Sequence, residues 1–495
     1  MTDTSRRLPA GRVLRALAVL AAVAGCATTA PGPAPALVPP SPPAAVAMTA
    51  MRDPTPPPAA STGSFRIPVE YYRLANGLRV VLSRDSSAPT VTVAVHYRIG
   101  WRLEPRGRTG FAHLFEHLMF QESTNLDRGE ADRIVEGNGG LANGQTHTDY
   151  TNYFEVVPSH ALEPVLWVEA ERLRGLAVSE ASLRNQQDVV KNEVRVNVLN
   201  RPYGGFGWLD VPQYANVNWH NAHNFYGELA DIDAATLADA RTFYDTYYVP
   251  RNAVLVVAGD FDPARVRDWI GRYFGPLADR PEPVRPDVSE PRQTEPRVAH
   301  ATDRLAPRPG LAFAYHVPPR NTREWYAFGL LNVILLGGED SRLWRQLVTE
   351  KGYTDSLSGG INFGGSQFDY DGPTLWTATL LHDASTTPQT IVASIDEVLA
   401  DLSVHPVTKA EFERALTKIR SSLYDVAGDP RRTGLTTLLG SFALFDDDPE
   451  RLNGLEAEFR KVTPEDLATT AREYLRPGNR TLFFLEAGAG QKAAR

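Results

Sequence analysis

The segment Gly110-Phe-Ala-His-Leu-Phe-Glu-His-Leu-Met-Phe120 sets two histidines four residues apart, with a glutamate directly before the second. On a helix, His113 and His117 stand one turn apart on one face, as two imidazoles must to share a tetrahedral zinc ion. Glu116 then lies beside that face, where it can serve as a general base without being a ligand. The pattern is short, and a chance match at this composition is on the order of a per cent. The competing reading is a pair of ordinary surface or core histidines.

A hydrolytic zinc site needs a third protein ligand and an open fourth position. In the stretch from Leu183 to Asn197, Glu193 shares a helical face with Val189, Val190 and Val196. An ionised carboxylate on an apolar face is costly unless it is paired or bound to metal. A zinc ion would satisfy it, and so would an arginine, which on the local pattern alone is the more common partner.

The chain around this motif has 495 residues, enough for two or three compact units, and a globular composition with 42% hydrophobic and 22% charged residues. Its net charge is −8. Binding phosphates requires a concentrated basic face, and none is visible, so a nucleic-acid partner is excluded. The single cysteine, Cys26, rules out a disulfide framework and any cysteine-based zinc site.

Arg6, Arg7, Arg12 and Arg15 precede the apolar run Ala16 to Ala24, the profile of a secretory leader over residues 1–25. Its end, Val23-Ala24-Gly25-Cys26, resembles the lipobox of bacterial lipoproteins, which implies acylation of Cys26 and a lipid anchor. Ala27, in place of Asp, implies the periplasmic face of the outer membrane. Residues 26–64 are rich in proline and alanine and read as an extended tether. A second proline-dense stretch, 279–297, reads as a linker between two bodies, 65–278 and 298–488.

Those bodies look related. Thr236, Tyr247, Asn252 and Leu255 are matched by Thr463, Tyr474, Asn479 and Leu482, all at the same displacement, and each set runs from a helix through a turn into an apolar strand. Leu78 to Leu82, after the Asn76-Gly77 turn, and Val91 to Val95 alternate as sheet strands do. Leu162 to Leu173 and Leu183 to Leu199 have helical spacing. The expected fold class is α+β: two homologous domains, each an antiparallel-rich sheet packed against helices.

On the strength of His113, Glu116 and His117, the chain resembles the inverted-motif zinc peptidases of the pitrilysin, insulin-degrading enzyme and mitochondrial processing peptidase family, the inverzincins. In that family the third ligand is a Glu about 75 residues after the second His, and Glu193 stands in that place. Asn143-Gly-Gln-Thr146, Val189-Val-Lys-Asn-Glu193 and Tyr248-Val-Pro-Arg-Asn252 also resemble family segments. The resemblance implies Zn2+ held by His113, His117 and Glu193, with Glu116 as catalytic base. It further implies an extended peptide substrate added to the edge of a strand carrying Asn143 and Thr146, and two domains that form half of a clamshell.

Three departures matter. Gly144 stands where the family has Ala, and Gln186 where many members have a Glu that supports the ligand. In the second half, Val348 and Asp355 occupy the places of an Arg/Tyr pair that stabilises the oxyanion, although Arg345 and Tyr353 lie nearby. The expectation is therefore a zinc endopeptidase that works with a homologous partner subunit carrying the Arg/Tyr pair, or as a homodimer. The other readings are a non-catalytic peptide-binding or core subunit of the same fold, and a zinc amidase acting on cell-wall peptides. His147, His160, His220, His223 and His316, and Trp167, Trp208 and Trp219, read as packing or surface residues.

Overall fold

The computed structural model describes residues 66–488; the expected leader, Cys26 and the tether lie outside the described residues. The chain divides between Gly63 and Ser64, and every described residue belongs to the second unit. Among the described residues no helix is long and apolar enough to cross a membrane.

The strands are β1 (Glu70–Arg73), β2 (Arg79–Arg84), β3 (Thr90–Tyr97), β4 (Leu141–Thr146), β5 (Thr151–Pro158), β6 (Ala253–Gly259), β7 (Arg297–Asp303), β8 (Gly310–His316), β9 (Leu357–Ile361), β10 (Leu375–Leu381) and β11 (Arg480–Ala487). They form two sheets, ordered β1-β2-β6-β3-β5-β4 and β7-β11-β8-β10-β9. In each sheet one pair is parallel, β2 with β6 and β7 with β11, and every other pair is antiparallel. Apart from the additional β1, the two sheets have the same connectivity. The β1–β2 hairpin turns at Gly77, whose φ of +86° suits glycine and few other residues.

The displaced residues play the same part in both halves. Thr236 and Thr463 cap their helices through reciprocal bonds with Asp239 and Asp466. The Asn252 amide donates to the Tyr247 carbonyl at 2.8 Å, and the Asn479 amide to that of Tyr474 at 2.7 Å. Each asparagine thereby fixes how a helix hands over to the central strand.

Strand β6 is buried along its whole length. Ala253, Leu255 and Val257 face one core, against the helices of the first half, while Val254, Val256 and Ala258 face the other. A strand covered on both faces has to be apolar throughout, which is why this run lacks alternation.

The second cover comes from the opposite half. Helix Thr433–Phe445 lies across β2, β3 and β6, and helix Asp210–Ala215 lies across β7, β8 and β11. Both are fastened at the C-terminus, where carbonyls lack helical partners. Arg79 donates to the carbonyls of Ala443 and Leu444, each at 3.2 Å, and Arg98 to that of Leu444 at 3.2 Å. In the other half, Arg297 and the His316 ring meet the Ala215 carbonyl. This reciprocal exchange makes the two sheets one packed body.

Candidate metal centre

Helix Phe111–Leu118 begins at Gly110, whose φ of +78° is left-handed and whose missing Cβ would lie 2.4 Å from the Tyr226 carbonyl oxygen. Phe111, Ala112, Leu114, Phe115 and Leu118 are buried in the core of the first half. That packing fixes the helix rotation and turns His113 and Glu116 to a cleft of about 430 Å³ that Glu193 also lines. The cleft is lined from both halves, including Trp208 and Tyr226 from the first and Asn362 and Phe363 from the second.

The Nε2 atoms of His113 and His117 are 3.4 Å apart. Glu193, next to last in helix Glu180–Val194, brings Oε2 to 3.6 Å from His113 Nε2 and 3.3 Å from His117 Nε2. A tetrahedral ion with bonds of ~2.0–2.2 Å requires its donors ~3.3–3.6 Å apart. The three edges of this triangle meet that requirement. Among the described residues it is the one group of three or more His, Cys, Asp or Glu side chains close enough to hold a metal ion.

Electrostatics keep His113 neutral and Glu193 ionised, the forms in which each can ligate. Burial lowers the pKa of His113 to about 4, so its imidazole is neutral at pH 7. The hydrogen bond from His117 holds Glu193 below the usual carboxylate range, and His113 and Tyr226 reinforce it. Glu193 Oε1 accepts the Tyr226 hydroxyl at 3.0 Å, leaving Oε2 for the triangle. The two oxygens are thus assigned separate work, which favours a single metal bond.

Glu116 is held beside the triangle by Thr146, whose hydroxyl donates to Oε2 at 2.7 Å. Burial pushes its carboxyl up, against the lowering pull of Thr146 and His117. A raised carboxylate with one firm hydrogen bond is suited to taking and returning a proton. Thr146 ends β4, which among the described residues is an edge strand paired with β5 alone. Asn143 is exposed on that strand and its side chain accepts the Gly144 N–H at 2.9 Å. A Cβ on Gly144 would lie 3.1 Å from Glu116 Cγ and 3.0 Å from the Phe120 ring.

Several expectations need correction. Of the apolar face assigned to Glu193, Val190 is buried, but Val189 is 41% and Val196 55% exposed. The helix passes into a π-helical turn over Arg195–Leu199, so α-helical spacing fails just past Glu193. Gln186 is buried two turns before Glu193, and among the described residues no hydrogen bond joins it to the triangle; the bond to Glu193 comes from Tyr226. Arg345 borders a separate groove with Glu350 and Glu397, Tyr353 packs against the core of the second half, and Asp355 pairs with Arg308 at 3.1 Å. Neither these residues nor Val348 lines the cleft. Trp208 does line it, and Trp219 stacks on His223, with ring centroids 4.3 Å apart.

Two family models match the chain: "Insulinase (Peptidase family M16)" over residues 79–201 and "Peptidase M16 inactive domain" over residues 234–419. The chain is 27% identical over 427 residues to zinc protease PqqE of Helicobacter pylori, covering 84% of this chain and 92% of that one. It is 25% identical over 264 residues to bovine cytochrome b-c1 complex subunit 1, covering 53% of this chain and 54% of that protein. The crystal structure of a protease from Helicobacter pylori superposes with a TM-score of 0.78 at 25% identity, over 85% of this chain and all of that one. The periplasmic protease PqqL of Escherichia coli superposes with a TM-score of 0.67 at 17% identity, over 86% of this chain and 48% of that one. In fold, this chain therefore corresponds to about half of PqqL.

Proposed function

The chain belongs to the insulinase family, peptidase family M16, and on that premise we propose that it is a zinc-dependent endopeptidase acting on peptides or unfolded polypeptide segments. The observation that carries this reading is the triangle of His113, His117 and Glu193 with Glu116 beside it. Zinc bound by these three residues would supply Lewis acidity to a peptide carbonyl at its open position. Glu116 accepts a proton from the attacking water and passes it to the leaving amine. Thr146 orients Glu116, and the edge of β4 offers unpaired main-chain groups to an extended substrate.

No arginine or tyrosine of the second half lines the cleft in the places the family resemblance assigns to them. This supports a homologous partner subunit that supplies those groups, with a homodimer as the other arrangement. The lipid anchor at Cys26 and a periplasmic outer-membrane location belong to the same proposal. The test is zinc content and peptide hydrolysis of the purified chain and of Glu116→Gln, alone and with a homologous partner. Zinc retained in Glu116→Gln, with hydrolysis lowered by ~10²–10⁴-fold, supports it.

The second reading, a non-catalytic core subunit, draws on the match of residues 234–419 to an inactive-domain model and on the b-c1 relative. A wild-type chain that binds no zinc and cleaves nothing with any partner would establish it.

A further inference from the structure

The three residues of the triangle come from two helices, and one short stretch of chain fastens both. Residues 223–228 run past the N-terminus of helix Phe111–Leu118, so close that a Cβ on Gly227 would lie 2.2 Å from the Thr109 carbonyl carbon. From this stretch Tyr226 reaches Glu193 on the second helix. His223 reaches the start of the first, through Glu104.

Glu104 is fully buried, six residues before Gly110 at the start of that helix. Its Oε2 accepts the Gly110 N–H at 2.8 Å and its Oε1 accepts the Ala112 N–H at 2.6 Å. The carboxylate thus takes two of the N–H groups that a helix leaves without partners, at the positive end of its dipole. His223 Nε2 lies 3.5 Å from Glu104 Oε2 and 2.7 Å from the Trp101 carbonyl oxygen, while Nδ1 lies 3.1 Å from the Trp219 carbonyl oxygen. The imidazole is thus held between these oxygens and stacked on the Trp219 ring. Ala112 immediately precedes His113, so any shift of the carboxylate is handed directly to a corner of the triangle. Burying a carboxylate is expensive, and Ser, Thr or Asp directly at the cap would serve a structural purpose at lower cost.

We propose that Glu104 is a positioning residue for the metal triangle and that His223 holds it in register. Because His223 also borders the cleft, occupation of the cleft and placement of His113 are mechanically linked. This inference rests on the reading of the triangle as a zinc site.

The experiment uses the full chain and measures zinc dissociation by competition with a chromophoric chelator, the absorption spectrum with Co2+ in place of zinc, and thermal unfolding of the metal-free protein. Glu104→Gln keeps the volume but replaces one acceptor by an NH2 that faces an N–H. Leu439→Ala, a fully buried site in helix Thr433–Phe445, supplies a control that is destabilised away from the triangle. Zinc bound ~10–100-fold more weakly in Glu104→Gln, with an altered cobalt spectrum, is the expected result, the scale on which groups behind a ligand tune a metal. The control should stay within about twofold of wild type, outside that range. Should Glu104→Gln fail to fold, His223→Phe, which keeps the stacking on Trp219, is read in the same way with a smaller expected loss. Zinc affinity and cobalt spectrum matching the control in whichever variant folds would overturn the proposal. Wild type that binds no zinc would instead overturn the functional reading beneath it.

Discussion

Replacing Tyr226 by Phe removes one oxygen atom, and that atom holds Glu193 at 3.0 Å. The ring should stay where it is, since the residue is only 6% exposed and lies against His113 and Trp208 with centroids 5.1 and 5.9 Å away. A hydrogen bond to a charged group is worth about 1.5–3 kcal/mol, and each 1.4 kcal/mol is a factor of ten. Free of its bond, Glu193 Oε1 competes with Oε2 and the carboxylate gains rotamers, so zinc affinity should fall roughly 10–100-fold. Chelator competition reads the affinity, and circular dichroism with thermal unfolding confirms that the fold persists. Zinc binding unchanged within about twofold in folded Tyr226→Phe would refute the view that this hydroxyl assigns the two carboxylate oxygens.

Other outcomes follow from the same structure. The folded metal-free protein holds His113 at a pKa of about 4, below the usual 6.5, so the unfolded chain takes up a proton first as pH falls. Stability should drop by about 3 kcal/mol between pH 6.5 and 4, and His113→Gln should flatten that part of a pH series of urea titrations. Leu439→Ala should cost about 2–5 kcal/mol and lower a single calorimetric transition, because helix Thr433–Phe445 covers the sheet of the first half. Two separated transitions would contradict the exchange of covers. Thr146→Val removes the hydroxyl from Glu116 and should lower peptide hydrolysis several-fold while leaving zinc content unchanged.

Much of the site was legible before any coordinates. His113, Glu116 and His117 announce themselves because a metal motif within one helix has a fixed repeat, and the helix supplies the geometry. Strands β2, β3, β6 and β11 were visible from β-branched and alternating residues, and the paired Thr and Asn positions pointed to two related halves. The reading of Val196 as part of a buried face failed because the helix changes its winding after Glu193, while Val189, within the regular helix, sits on the solvent side of the buried Val190.

The sequence by itself determined which residues could meet a metal ion, since imidazole spacing on a helix is a local property, and which segments build the sheets. Only the tertiary structure decided what steadies them. Tyr226 bonds to Glu193 across 33 residues, and His223 reaches Glu104 across a separation of 119. Each half also lends a helix to the sheet of the other. Such contacts depend on the path of the chain through space, and a hydrogen bond between distant segments leaves no periodicity behind in the order of the residues.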